Sequence, residues 1–160
     1  MTVLNIGKNF CTGTEVFVMK VFDIMSEHIV TVGLSEPVTA AARLLKQHNI
    51  GAVPVCDDRG QIRGMITDRD IAVRYVATGV SPDEAKVGDI MTRGVITVND
   101  TAYVGEAARL MADAQVRRLP VCRDGRLVGM LSLADLARNT DCDTEAASAL
   151  AEISSNVRRV

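Results

Sequence analysis

Apolar and polar positions fall into two periods along this chain, and the same succession of periods occurs twice. Short β-branched stretches at 29–32 and 95–98 predict strands. Each is followed by an apolar stripe at helical spacing: Val38, Ala41, Ala42 and Leu45, then Val104, Ala107, Ala108 and Met111. Pro37 suits the first turn of the earlier helix. Two further apolar runs, 52–56 and 63–66, flank Asp57-Asp58-Arg59-Gly60, which is turn chemistry and predicts a hairpin. The second hairpin has the tighter turn Arg123-Asp124-Gly125. Second helices are predicted to start at Asp68 and at Leu133. The unit is β-α-β-β-α, about 55 residues long.

Residue identities show that the two units are copies. Val21, Asp23, Ile24 and Met25 match Val87, Asp89, Ile90 and Met91 at an offset of 66, as do Thr31-Val32 and Thr97-Val98. The helical stretch at 41–44 matches 107–110, and Pro54-Val55-Cys56 matches Pro120-Val121-Cys122. One residue is lost before Gly125, after which Gly60, Gly64, Met65, Asp70 and Ala72 match Gly125, Gly129, Met130, Asp135 and Ala137. The 51 aligned positions hold 20 identities, where chance at ordinary composition gives roughly three or four. The chain therefore divides into an N-terminal arm (1–20), a first repeat (21–78), a linker (79–86), a second repeat (87–138) and a C-terminal segment (139–160). Ser81-Pro82 in the linker is a helix-start signal. Ala146, Ala147, Leu150, Ile153 and Val157 predict a terminal amphipathic helix, expected to pack within a dimer of this chain.

Composition narrows the function. Aromatic residues are 3% of the chain, with no Trp, so the core must be aliphatic and no base-stacking platform is visible. Eighteen basic residues against twenty acidic ones argue against a general nucleic-acid binder. No apolar run is long enough to span a membrane and no secretory leader is seen, so neither a membrane nor a nucleic-acid partner is expected. Four scattered cysteines without a C-x-x-C pair fit a reducing cytoplasmic setting.

The element that carries chemistry is Gly-Met-Ile-Thr-Asp-Arg-Asp at 64–70, returning as Gly-Met-Leu-Ser-Leu-Ala-Asp at 129–135. Thr67 three residues before Asp70 has two readings. It is a helix-capping pattern. It also presents an acceptor-only carboxylate to a diol and the free N–H groups of a helix start to an anion. Both readings hold together if Thr67 caps through a lone pair and spends its proton elsewhere. Arg69 is either a solvated first-turn residue or a phosphate clamp, and the second copy has Ala134 there. Arg117-Arg118 replaces Gly51-Ala52 of the first copy, as loop charge or as cationic cleft lining. Cys56 and Cys122 read as small apolar strand residues or as a redox pair. With only His28 and His48 available, no metal-ligand spacing is evident, and His48 is expected in the last turn of its helix. No catalytic triad, P-loop or G-x-G-x-x-G is present, so an enzyme is not expected.

Taken together, Asp-Ile-Met before each first strand, Gly-Ala-Val-Pro-Val and Arg-Arg-Leu-Pro-Val, and the paired motifs at 64–70 and 129–135 resemble the cystathionine-beta-synthase (CBS) domain. Two copies in tandem resemble the pair called a Bateman module, of the stand-alone bacterial type, over about 21–138. The resemblance implies an α/β fold in which two β-α-β-β-α repeats pack sheet to sheet with pseudo-twofold symmetry. It implies adenosine ligands (AMP, ADP, ATP or NAD) in the clefts between repeats, a homodimer, and signalling by conformational change to a protein target in trans. By resemblance, Asp70 and Asp135 hold ribose hydroxyls, and Thr67 and Ser132 contact ribose or phosphate. Arg118 meets phosphate, and Arg69 is added to that set as a clamp. Backbone at Thr31, Val32, Val53, Pro54 and Val55 meets the adenine edge, with Thr97, Val98, Leu119, Pro120 and Val121 in the second copy. The alternative is a structural or redox-responsive interaction protein with vestigial clefts.

Overall fold

The computed structural model describes residues 19–79, 85–139 and 143–155. The linker signal at Ser81-Pro82 and the arm at 1–18 lie outside the described residues. Two sheets carry the fold. The first has strand order β1-β2-β3-β4, with β1 at Val32–Gly33, β2 at Ala52–Cys56, β3 at Ile62–Thr67 and β4 at Thr92–Arg93. The second has order β5-β6-β7, with β5 at Val98–Asn99, β6 at Arg118–Arg123 and β7 at Arg126–Ser132. In each, a parallel pair (β1 on β2, β5 on β6) is followed by an antiparallel hairpin. The first strands are two residues long, shorter than the β-branched stretches predict, because 29–31 and 95–97 leave the sheet before pairing starts at Val32↔Val55 and Val98↔Val121.

The helices follow their apolar stripes. α2 (Val38–His48) buries Val38, Ala41 and Leu45, and α5 (Val104–Ala114) buries Val104, Ala107, Ala108 and Met111. Each stops at a left-handed residue, Asn49 and Gln115. Asn tolerates that conformation, whereas Gln115 also bonds the Ala112 carbonyl through Nε2 at 2.7 Å. α3 (Asp68–Arg74) and α6 (Leu133–Ala137) start where the sequence places them, capped by Thr67 and Ser132.

The Asp-Ile-Met stretches form single helical turns, α1 (Val21–Ile24) and α4 (Val87–Ile90), whose backbone starts are held by Asp23 and Asp89. These turns are exchanged: each packs on the other repeat. Val21, Phe22 and Val104 donate backbone bonds to Ala102, Asp100 and Met19. Val87, Gly88 and Val38 donate to Glu36, Leu34 and Ala85, the same three bonds one repeat away. Val21 accordingly lies in the core of the second repeat, and Val87, Ile90 and Met91 lie in that of the first. The exchange explains two repeated motifs at once. A Cβ on Gly64 would sit 2.6 Å from both Met91 Sδ and the Thr92 carbonyl, and one on Gly129 would sit 2.6 Å from Met25 Sδ. The methionine of one copy lies on the glycine of the other.

α7 (Asp143–Ser155) packs on α5 and α6 of its own chain. Its buried face is Ala146, Ala149 and Ile153, while Ala147 and Leu150 stay exposed. This differs from the expected stripe; small residues let α7 lie close to α5, and Val157 falls outside the described residues. Among the described residues no helix is long and apolar enough to cross a membrane.

Candidate functional site

Early departure of 29–31 and 95–97 from the sheets opens two clefts, and the exchange makes each of them a joint product of both repeats. Cleft A, 580 Å3, takes Met65, Thr67, Asp68 and Arg69 from the end of β3 and the start of α3. Facing them are Gly94, Val95 and Ile96, with Val116 and Arg117 from the loop after α5 and Arg118 at the start of β6. Cleft B, 290 Å3, takes Met130, Ser132 and Asp135 from the equivalent turn. Facing them are His28, Ile29 and Val30, with His48, Ile50, Ala52 and Pro54. Arg118 lines both clefts. Such volumes are at and within the usual size range for small-molecule sites.

Three of the eight large apolar side chains left exposed among the described residues lie at the clefts. Ile50, Ile96 and Val116 are 37%, 44% and 36% exposed and line clefts. Ile50 and Val116 occupy equivalent positions, two residues past the ends of α2 and α5. The left-handed caps at Asn49 and Gln115 turn the chain so that these residues face the cleft instead of the core.

The strand-to-helix turns are reciprocal boxes. Thr67 N–H and Oγ1–H donate to Asp70 Oδ2 at 3.0 and 2.7 Å, and Asp70 N–H donates back to Thr67 Oγ1 at 3.0 Å. Ser132 and Asp135 repeat this at 2.7, 2.6 and 3.2 Å. The hydroxyl proton is therefore spent inside the box, so Thr67 does not keep it for another partner. Asp70 Oδ1 faces Arg74 Nη1 at 3.3 Å, and Asp135 Oδ1 is paired with Arg138. Arg74 also donates to the Ile90 carbonyl at 2.9 Å and to Thr92 Oγ1 at 3.2 Å. It thus joins the Asp70 box to the exchanged segment that walls cleft A. A diol binding at Asp70 would have to share Oδ1 with Arg74 or displace it.

The residues expected to meet a ligand separate into groups. Thr67, Arg69 and Arg118 line cleft A, and Pro54, Arg118, Ser132 and Asp135 line cleft B. Asp70 sits behind Thr67, outside the lining of cleft A. Val32, Val53, Val55, Val98, Leu119 and Val121 have their side chains in the two cores, and Pro120 is buried opposite Met130, leaving only backbone for a ligand. Thr31 is exposed and Thr97 bonds the Cys122 thiol. Residues 28–30, His48, Ile50, Val95, Ile96 and Val116 were outside the expected set. Their signal in the sequence is an apolar residue, matched in both copies, standing off the helical stripe at 50 and 116.

Cys56 is buried at the end of β2, and burial raises its thiol above the ordinary 9.0, with Asp57 adding to the effect. Burial also raises Cys122. Thiols held protonated are poor nucleophiles, which weighs against the redox reading. Among the described residues no three His, Cys, Asp or Glu side chains converge where a metal ion could be held.

Two exchanged repeats, each contributing half of two similar clefts, define a tandem α/β repeat module. The chain belongs to the CBS domain family, whose model matches 21–76 and 87–140. Hypoxic response protein 1 of Mycobacterium tuberculosis is 40% identical over 117 residues, 73% of this chain and 82% of that one. The CBS domain-containing protein YhcV of Bacillus subtilis is 40% identical over 132 residues, 82% and 93% of the two chains. Among solved structures, hypoxic response protein I with two coordinated zinc ions has a TM-score of 0.70 at 39% identity, over 76% and 98% of the chains. The CBS domain pair of protein MJ0100, in complex with 5′-methylthioadenosine and S-adenosyl-L-methionine, has 0.68 at 32%, over 76% and 94%. CBSX2 in complex with AMP has 0.64 at 30%, over 74% and 93%.

Proposed function

We propose that this chain is a regulatory module that binds an adenosine-containing ligand in clefts A and B and reports occupancy by changing the relative placement of its two repeats. The observation that carries this reading is the joint construction of each cleft. A ligand seated there touches both repeats, so binding favours one of their arrangements over others. Exposed Ile50, Ile96 and Val116 offer apolar surface to a flat base. Arg69, Arg117 and Arg118 offer forked donors to phosphate, and the boxed carboxylates offer acceptors to ribose. Relatives of the same fold that hold AMP or S-adenosyl-L-methionine support the choice of an adenosine ligand. The zinc of the mycobacterial relative is not carried over, because the described donors do not converge. The output passes to a partner in trans, which is not specified by any feature of the clefts.

The test is thermal unfolding with AMP, ADP, ATP, NAD, NADH and S-adenosyl-L-methionine in turn. A ligand at 100 times its Kd adds about 2.7 kcal/mol, a rise of roughly 5–10 °C for a domain of this size. One ligand should raise Tm by that amount, and Asp70→Ala should reduce the rise while leaving the ligand-free protein folded. No rise with any of the six would overturn the reading.

A further inference from the structure

The two clefts share an architecture but not a charge. Cleft A carries Arg69, Arg117 and Arg118, whose charge is fixed at every physiological pH. Cleft B has Ala134 in place of Arg69 by the repeat alignment, and Gly51-Ala52 in place of the arginine pair. Among the described residues its one lining arginine is Arg118, reaching in from β6. What cleft B has instead is histidine. The whole chain contains two histidines, far apart in sequence, and both line this one cavity. His28 comes from the loop before β1, and His48 is the last residue of α2, where the carbonyl end of the helix favours a cation. Both are exposed, and imidazole is the side chain whose charge ordinarily changes between pH 5 and 8.

We propose that cleft B is a proton-gated oxyanion site, in which His28, His48 and Arg118 together hold the phosphate-type end of a ligand when the imidazoles are protonated. The inference rests on the ligand-binding reading of the clefts and adds to it a difference between them. With both imidazoles neutral, Arg118 is the one cation among the described lining residues; with both protonated there are three. The other charged groups around the pair are Asp135 with its partner Arg138, Asp68 near Arg118, Glu27 beside His28 and Lys46 one turn before His48. Asp135 is already neutralised by Arg138, so it does not replace the arriving anion as counter-charge to the imidazoles. Arg118 is shared with cleft A, so cleft B gains an anion mainly through what the histidines add. The sign follows from linkage. Anion binding raises the imidazole pKa values, so binding is strongest below the free values and is lost as pH rises through the bound ones.

Inorganic sulfate tests this without a nucleotide, because its charge stays constant across the range and chloride can hold the ionic strength fixed. With only two histidines, the two imidazole resonances in the proton NMR spectrum report the site directly. With cleft A weakened by Arg69→Gln combined with Arg117→Gln, the protein should bind sulfate about tenfold more tightly at pH 5.5 than at pH 8. Linkage then requires the two imidazole midpoints to rise by about one unit in sum when sulfate is bound. His28→Gln combined with His48→Gln should remove the pH dependence. Arg118→Gln should shrink both rises, and Arg69→Gln in cleft A should leave them unchanged. An imidazole midpoint unmoved by saturating sulfate, or a rise undiminished by Arg118→Gln, overturns the proposal. Neither result bears on nucleotide binding at cleft A, and a chain that binds no nucleotide still gives a readable sulfate titration.

Discussion

Asp70 and Asp135 are each claimed from two sides before any ligand arrives, by a capping hydroxyl and by an arginine at the end of the helix they start. The sequence pattern shows the cap but not the arginine, because Arg74 and Arg138 stand at different offsets, i+4 and i+3, and do not align between copies. Thiol chemistry is set by the same local crowding. Burial raises Cys56 and Cys122, so the fold prefers the protonated thiols. Their stabilising contribution is complete below the unfolded thiol value and is lost as pH rises through the folded one. Tm should therefore decline above about pH 9. The decline should be shallower in Cys56→Ala combined with Cys122→Ala, as followed by thermal unfolding from pH 7.5 to 10.

At the level of elements, the exchanged turns α1 and α4 lie directly on the strands that carry Gly64 and Gly129. The two glycines align in the repeats, yet their surroundings are unequal. A Cβ at 64 would meet a backbone carbonyl at 2.6 Å, whereas at 129 the nearest carbonyl is 3.2 Å away and the closest atom is a flexible methionine sulfur. Gly64→Ala should cost about 2–3 kcal/mol and Gly129→Ala about 1 kcal/mol, measured as the shift in urea midpoint at unchanged slope. Helix and strand positions were legible because their periods differ and their turns carry Asp and Gly. The buried face of α7 was not. Ala146, Ala147, Ala149 and Ala151 spread small apolar residues around the helix, and close approach to α5 selects among them, which periodicity alone does not encode.

For the whole molecule, the duplication was legible and its phase was not. A period of 66 residues fits any starting point equally well. Whether Val21–Ile24 packs on the strands that follow it or on those one period later is decided by backbone hydrogen bonds and by methionine–glycine contacts that read alike in either phase, because both residues recur in each copy. For the same reason cleft membership crosses the copies, and Thr67 faces Val95 and Ile96 across cleft A. The exchange also means that neither sequence repeat contains a complete core. Fragments 1–79 and 80–160, expressed separately, should each lack a sigmoidal thermal transition by circular dichroism. An equimolar mixture should recover one. An independent transition from either fragment would show that the exchanged turn is dispensable.

The exchange has a consequence for how such a chain can be recombined. A crossover in the linker between this chain and a relative would not transplant one intact pocket and leave the other alone. It would create two hybrids, each with the helix-start turn of one parent and the facing loops of the other. Ligand preference in this architecture is thus not a modular cassette. Each half supplies walls to both clefts, and a substitution at Arg118, which borders the two, is read by both.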